Sequence, residues 1–256
     1  TKVIQYCDEV KEDGFDLVDD FSDLFGMNAA GTDAKMRNTK ESILEAQFTS
    51  GAGNWCTWMF GRDLVNWNNN FTWAKWVTPS RDLISAFKQE GDEVRFKESI
   101  VYYDCNWSNY YPSDNYPFMY KCRSANSSII KYRYADVLLL KAEALIMQDT
   151  PDLEGAADII DEVRDRAKLG ALPTSVRSNK NAMLNALLKE RRLELAFEGQ
   201  RWFDLVRLDK VEEVMNAVYA KDSGRKAQIY TFDKNSYRLP IPQSVIDAND
   251  KIHQNP

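Results

Sequence analysis

Apolar residues recur at helical spacing through the second half of the chain. Ala135, Leu138, Ala142 and Leu145 follow the i, i+3, i+7, i+10 period of an α-helix. Apolar residues also occupy much of the opposite face, so this helix is predicted to be deeply buried. The same kind of pattern predicts helices over 134–148, 152–168, 179–198 and 201–220.

The first half of the chain alternates short elements with long polar stretches. Its pattern predicts helix, turn and a short second element over 1–26, strands at 43–48 and 94–103, and a helix at 79–90. Thr78 and Pro79 suit the N-cap and first position of that helix. The irregular stretches between these elements are 27–40, 51–77 and 104–128. We therefore predict a mainly α fold with long aromatic-rich loops and a few short strands.

The helices at 134–148 and 152–168 form a predicted hairpin. Thr150, Pro151 and Asp152 supply an N-cap, a proline at the first helical position and an acid in the first turn. Small residues that permit close approach are Ala142, Ala144, Gly155 and Ala157. This pair is similar to a tetratricopeptide-type unit, although one hairpin is a weak repeat signal because several stacked units bury a continuous core.

Composition and charge narrow the functional classes. The chain has 256 residues, 28% of them charged, with a formal net charge of −6. This acidic balance argues against a nucleic-acid partner, because nucleic-acid binders show a basic surface. No run of 18 apolar residues occurs in the sequence, so no segment is predicted to span a membrane.

The sequence gives little support for metal binding, cofactor binding or nucleophilic catalysis. The single histidine, His253, excludes histidine clusters and leaves no good partner for a serine or cysteine triad. The four cysteines show no CxxC spacing, so zinc is not expected. Cys105 and Cys122 flank an aromatic-rich loop and could be bridged in an oxidising compartment, but two separate thiols are favoured. No metal and no cofactor is predicted.

Tryptophan is concentrated where the chain is least regular. Six of the seven tryptophans lie between residues 55 and 107. Flat aromatic faces stack on the C–H faces of sugars, and amides bond their hydroxyls. The residues predicted to contact a glycan are Trp55, Trp58, Trp67, Asn69, Trp73, Trp76, Trp107 and Tyr110. The alternative is that these aromatics clamp long loops onto the helical scaffold.

Like charges are stacked along the third predicted helix. Glu190, Glu194 and Glu198 recur at i, i+4, which destabilises a helix unless cations balance them. Three arginines nearby in sequence are the predicted counterions: Arg191, Arg192 and Arg201. Gly199 is predicted to end the helix at a corner. A structural lock at this corner is favoured over a carboxylate site.

Several segments resemble the SusD/RagB family. LLKERRLELAFEGQRWFDLVR (187–207) and LPIPQSVIDANDKIHQNP (239–256) are similar to its most specific signatures. Weaker matches are YRYADVLLLKAEAL (132–145), ADIIDEVRDRAK (157–168), ESILEAQFTSG (41–51) and residues 78–96. Two departures are the replacement of the family's Asp-Pro-Arg by Asp92-Glu93-Val94-Arg95 and the lack of a final Gly-Tyr.

This resemblance implies a function. SusD/RagB proteins are surface lipoproteins of glycan-uptake systems, with loop aromatics forming a glycan site over a tetratricopeptide-like scaffold. We therefore expect a non-catalytic glycan-binding protein at the cell outer membrane, held by a lipid anchor outside this chain. Its expected partner is a SusC-like TonB-dependent transporter. The chain is interpreted as a C-terminal portion, with a mixed, loop-rich ligand-binding region at 1–128 and a helical region with the PIP and QNP motifs at 129–256.

Two other functional classes remain open from the sequence. A helical-repeat module could bind a protein, with the aromatic loops serving only the fold. A glycoside hydrolase could use a carboxylate pair, although none of the 39 acids stands out. Some SusD/RagB proteins bind peptides or other nutrients, so the ligand class is less defined than the binding role.

Overall fold

A computed structural model describes residues 1–49, 77–105, 111–112, 114–221 and 231–255. The chain divides into two compact units, Thr1–Gly199 and Gln200–Pro256. Among the residues described, no helix combines the length and the apolar character needed to cross a bilayer.

The first unit is mainly helical. Its helices are α1 Lys2–Glu12, α2 Ser22–Phe25, α3 Arg81–Glu90, α4 Glu93–Ser99, α5 Tyr134–Ile146, α6 Leu153–Arg166, α7 Thr174–Arg177 and α8 Lys180–Glu194. Its strands are β1 Ser42–Ala46, β2 Ile100–Tyr103, β3 Tyr116–Met119 and β4 Ile129–Arg133. Two antiparallel ribbons result, β1 with β4 and β2 with β3. The predicted fold class is confirmed.

Helices α5 and α6 form the predicted hairpin, with α1 and α8 packed against α5. Ala142, Ala156 and Ala157 are fully buried, so the two helix backbones approach closely. Asp152 caps α6 by accepting a hydrogen bond from the Gly155 amide at 2.9 Å. A Cβ at Gly155 would lie 2.5 Å from the Asp152 carboxylate, so an alanine there would displace the capping side chain.

Residues 94–103 were predicted to form one strand, but the structure has a helix followed by a shorter strand there. Residues 93–99 are helical because the Asp92 side chain caps α4, accepting from the Arg95 amide at 3.1 Å. Only β2 is extended, and it pairs with β3, which lies inside the predicted loop 104–128. That loop prediction was therefore wrong for residues 116–119, because cross-strand pairing gives this short segment an ordered partner.

The observed helix boundaries differ from the predicted ones at two further places. Ser80, rather than Thr78, caps α3 by accepting from the Leu83 amide at 3.1 Å, and Thr78 hydrogen-bonds Tyr116 at 2.8 Å. Helix α8 ends at Glu194, four residues before the predicted end. Phe197 and Gly199 then adopt positive φ angles of 66° and 84°, which end a right-handed helix.

The second unit contains α9 Arg201–Arg207, α10 Val211–Lys221, a 3-10 turn at Lys234–Tyr237 and α11 Gln243–Asp247. The predicted helix 201–220 is broken at Asp209, which has a φ of 54°. The PIP and QNP motifs bond each other. Gln254 accepts from the Ile241 amide at 2.8 Å and donates to its carbonyl at 2.9 Å.

Candidate functional site

An open groove lies along the outer face of α3. We call it the α3 groove; its volume is about 460 Å³. Helix α3 contributes five lining residues: Arg81, Ile84, Ser85, Lys88 and Gln89. The remaining described lining residues are Tyr102, Tyr111, Pro112 and Asn115.

The α3 groove has a rigid floor because α3 is anchored on its other face. Leu83, Ile84 and Phe87 are buried in an aromatic core cluster. Phe87 contacts Phe96 of α4 edge to face, with ring centroids 5.7 Å apart. Gly91 adopts a φ of 71° and lets the chain turn from α3 into α4.

Two tyrosines supply the aromatic surface of the α3 groove. Tyr111 is fixed by its hydroxyl, which donates to the Pro79 carbonyl at 2.7 Å, and by Tyr116, whose ring centroid is 5.7 Å away. The Arg81 guanidinium lies 4.8 Å from the Tyr111 ring centroid. Tyr102 is half-buried beside Phe96, and burial raises its pKa, so it remains a neutral phenol at physiological pH.

Polar side chains complete the chemistry of the α3 groove. Ser85, Gln89 and Asn115 supply hydroxyl and amide groups, and Gln89 donates to Ser85 at 3.1 Å. Rings, amides and hydroxyls together suit a ligand with both C–H faces and hydroxyl groups.

A second groove lies on the other side of the β2–β3 ribbon. It has a volume of about 480 Å³ and includes Tyr103, Tyr120 and Asn28 in its lining. Arg123 stacks on Tyr120, 3.6 Å from the ring centroid, and pairs with Glu98 at 2.9 Å. Tyr102 and Tyr103 line different grooves because successive side chains of a strand point to opposite faces.

The carboxylate stripe of α8 lies in a buried ion network. We define this network by the carboxylates Glu41, Asp92, Glu190, Glu194 and Glu198 and the cations Arg95, Lys121, Arg133, Arg164 and Arg166. Its charges balance, and its members come from six separate segments of the first unit. It therefore joins elements that are distant in sequence.

Arg133 is the most connected cation of the network. Its guanidinium lies 2.7 Å from Glu41, 2.5 Å from Glu194 and 2.7 Å from Glu198. Arg166 pairs with Glu41 at 2.5 Å and also with Glu194. Such multiple pairing is needed for buried charges, because each unpaired ion would carry a large desolvation penalty.

The electrostatics of the network follow from burial and pairing. Burial alone would raise the pKa of Glu194, but Arg166, Arg133 and Arg95 outweigh it and hold that pKa well below its usual range. The pKa of Glu198 is likewise lowered, because Arg133 and Lys121 outweigh its burial. Burial lowers the pKa of Lys121 to about 8. Both glutamates therefore stay ionised at neutral pH.

Two of the three predicted counterions pair with other carboxylates. Arg95, Lys121, Arg133, Arg164 and Arg166 contact the three stacked glutamates. Arg191 and Arg192, which were expected to balance the stripe, pair with Asp136 at 2.8 Å and Asp82 at 2.6 Å. Neighbours on one helix radiate in different directions, so charges adjacent in sequence face different partners.

A third cavity, of about 340 Å³, lies next to the network in the first unit. Lys121 and Glu198 are paired at 2.6 Å in its wall, with Phe25, Met119 and Phe197 supplying apolar surface. Lys121 also lies over the Phe25 ring, 4.7 Å from the centroid.

The glycan-contact residues predicted from sequence all lie outside the described residues: Trp55, Trp58, Trp67, Asn69, Trp73, Trp76, Trp107 and Tyr110. They stay predictions. The structure adds Arg81, Lys88, Tyr102 and Tyr111, which sequence reasoning missed. A polar stripe on amphipathic α3 was the available signal, but such a stripe usually means a solvated face. Cys105 and Cys122 are buried thiols, as favoured.

The described residues thus form a helical scaffold whose surface carries polar grooves lined by tyrosines. A model of the SusD family matches residues 114–256, more than half of the chain. The chain belongs to the SusD family, and the resemblance seen in the sequence is confirmed.

Two curated relatives come from Formosa agariphila. SusD-like protein P38 is 42% identical over 99 residues, covering 36% of this chain and 19% of that protein. SusD-like protein P2 is 34% identical over 139 residues, covering 52% of this chain and 26% of that protein. The matched parts therefore span about a quarter or less of these relatives.

Solved structures share the fold. Surface glycan-binding protein A from Bacteroides thetaiotaomicron, solved with laminarihexaose, aligns with a TM-score of 0.70 at 19% identity. The alignment covers 98% of this chain and 58% of that protein. A SusD homologue from the same organism aligns with a TM-score of 0.74 at 20% identity, over 99% of this chain and 58% of its own.

Proposed function

We propose that this chain is the C-terminal portion of a non-catalytic glycan-binding protein of a nutrient-uptake system. The observation that carries the proposal is the α3 groove, where Tyr102 and Tyr111 lie beside Ser85, Gln89 and Asn115. Membership of the SusD family and the fold shared with a glycan-binding protein support it.

The binding surface combines the α3 groove with the aromatics predicted from sequence. Tyr110 directly precedes Tyr111 in the chain and Trp107 lies four residues before it, so contacts from that segment would extend the groove. Residues 1–128 then form the mixed, loop-rich ligand-binding region, and 129–256 the helical region that supports it. The other proposed contacts are Trp55, Trp58, Trp67, Asn69, Trp73 and Trp76.

The burial and pairing of the network carboxylates support binding without cleavage of sugar bonds. Glu190 and Glu194 are buried and each is held by at least two arginines. A glycosidase needs one accessible carboxyl to give a proton and another to attack or activate water. The paired glutamates hold helices together, so in our proposal they serve the fold and leave sugar bonds intact.

We further propose that the protein delivers its ligand to a membrane transporter. The protein is anchored at the outer-membrane surface by a lipid outside this chain and passes oligosaccharide to a SusC-like TonB-dependent transporter. Support for this partner and location comes from the family alone. Co-purification of the full-length protein with such a transporter from outer membranes tests it. Recovery of the protein in a soluble, unanchored fraction contradicts it.

Binding is tested by calorimetric titration of oligosaccharides into wild type, Tyr102→Ala and the matched control Tyr6→Ala. Tyr6 is 58% exposed on α1 and outside the α3 groove. Loss of one stacking face, worth about 0.5–1.5 kcal/mol, should weaken binding about 2–12-fold in Tyr102→Ala only. Equal affinity in the two variants would place the ligand elsewhere, and reducing ends that accumulate would indicate a hydrolase.

A further inference from the structure

The second groove carries an arginine–glutamate pair beside tyrosine rings. Glu98, Arg123, Tyr103 and Tyr120 all line this groove, whose volume is about 480 Å³. We propose that the second groove is a second glycan-binding site, in which the Glu98 carboxylate and the Arg123 guanidinium hold the hydroxyl groups of a neutral sugar. This inference rests on the proposed function and adds a site to the α3 groove.

Arg123 is held in one orientation by its own contacts. The residue is buried, with 5% of its surface exposed. Its Nε donates to the Tyr120 carbonyl at 2.9 Å, and its Nη2 donates to the Glu98 carbonyl at 3.2 Å and to Glu98 Oε2 at 2.9 Å. The guanidinium also stacks on the Tyr120 ring. Because the pair is already ordered, a ligand would lose little free energy in fixing it.

Each member of the pair keeps one terminal atom for a ligand. No described residue accepts a hydrogen bond from Nη1 of Arg123, and none donates to Oε1 of Glu98. Both atoms reach solvent, since neither is among the buried unpaired polar atoms of the described residues. A sugar offers neighbouring hydroxyls, one of which can accept from the guanidinium while the other donates to the carboxylate.

The charges of the second groove are balanced, which favours a neutral ligand. Glu98 offsets Arg123 at 2.9 Å, and Lys35, the other described cation of the lining, pairs with Asp23 at 2.6 Å and Asp20 at 3.5 Å. An anionic ligand would meet no excess positive charge there. The lining also contains aromatic rings and an amide, the groups that suit C–H faces and hydroxyls.

The second groove is separate from the α3 groove. Tyr103 lines the second groove and Tyr102 the α3 groove, so the two grooves lie on opposite faces of the β2–β3 ribbon. The loop that borders the second groove is closed at its base, where the Lys35 amide donates to the Gly26 carbonyl at 2.8 Å. Each groove can therefore take its own sugar chain.

The test is calorimetric titration of the full chain with four neutral hexasaccharides: laminarihexaose, cellohexaose, mannohexaose and xylohexaose. Wild type should bind at least one of them at two sites per chain. Ala29 is an exposed residue of the groove lining, so Ala29→Trp should fill the second groove and reduce the stoichiometry to one. Ala30→Trp is the matched control, because Ala30 is exposed but outside the lining, and it should keep two sites.

Glu98→Gln tests the chemistry of the pair, with Glu93→Gln as its control. Glu93 is exposed on the same helix and outside the lining. Glu98→Gln should weaken the second site about fivefold, because a neutral hydrogen bond replaces a charge-assisted one, and Glu93→Gln should leave it unchanged. One site in wild type, or equal effects within either variant pair, overturns the second site while the proposed function stands. Absence of binding to every probe overturns both.

Discussion

Replacing Arg133 by methionine removes the most connected cation of the buried ion network. Arg133 is 1% exposed and pairs with Glu41, Glu194 and Glu198 at 2.5–2.7 Å. Methionine approximates its length and packs well, so the main change is the loss of charge. Breaking a buried ion pair by removing one partner destabilises a protein by about 3–5 kcal/mol.

The expected loss stays near that range because each carboxylate keeps another cation. Arg166 remains beside Glu41 and Glu194, and Lys121 remains beside Glu198. For a protein of this size, about 3–5 kcal/mol corresponds to a fall in melting temperature of about 6–20 °C. Since native domains are stable by only about 5–15 kcal/mol, the variant should remain folded but be clearly weakened.

Arg177→Met is the matched control. Arg177 also contacts three carboxylates, those of Glu154, Asp158 and Asp161, but the first two side chains are 69% and 70% exposed. Exposed pairs contribute about 1 kcal/mol or less. Urea titration followed by far-UV circular dichroism gives both free energies of unfolding. Equal destabilisation by the two substitutions would refute the assignment of stability to the buried network.

Three further results are expected. Because the folded-state pKa values of Glu194 and Glu198 are lowered, their stabilisation is complete above the usual glutamate pKa near 4.3 and falls as pH drops below it. These two groups should therefore lower the urea midpoint from pH 5 to pH 3, whereas Asp92 and Glu190, whose pKa values burial raises, act in the opposite direction, and an unchanged pH profile in Glu198→Gln would contradict the pairing. Glu198→Gln should flatten that decrease. Gly155→Ala should destabilise α6 by about 1 kcal/mol through loss of the Asp152 cap, with Gly170→Ala, which has open space, as the control in thermal melts.

Periodicity predicted the helical scaffold well and the ion network poorly. The α5–α6 hairpin follows from apolar spacing because each helix buries a face set by local sequence. The partners of Glu190 and Glu194 include Arg95, 95 and 99 residues away, and Arg133, 61 residues from Glu194. A local charge pattern shows that cations are needed without showing which ones the fold brings close.

Short elements escaped prediction for a related reason. β3 is four residues long and acquires its order from pairing with β2, so its own pattern is uninformative. Residues 93–99 have strand-like side chains, yet Asp92 caps them into α4. At the family departure Asp92–Arg95, the Asp92 side chain also bonds the Arg95 side chain, at 2.5 Å. Tertiary and capping contacts outweigh propensity in segments this short.

The α3 groove could be predicted only in part. The aromatic-rich loops direct attention to the chain up to Tyr110, whose contacts stay predictions, and the helix face with Arg81 and Lys88 resembles any solvated helix surface. Its significance depends on Tyr102 and Tyr111, which come from a strand and a following segment. Convergence of three segments on one groove is a property of the folded chain.

The central claim is glycan binding, and intrinsic tryptophan fluorescence titrated with neutral and acidic oligosaccharides tests it most directly. We predict a saturable shift with one glycan class, weaker in Tyr102→Ala and unchanged in Tyr6→Ala, without release of reducing ends. Absence of a saturable shift across the whole panel, matched by absence of heat in calorimetry, would contradict the account.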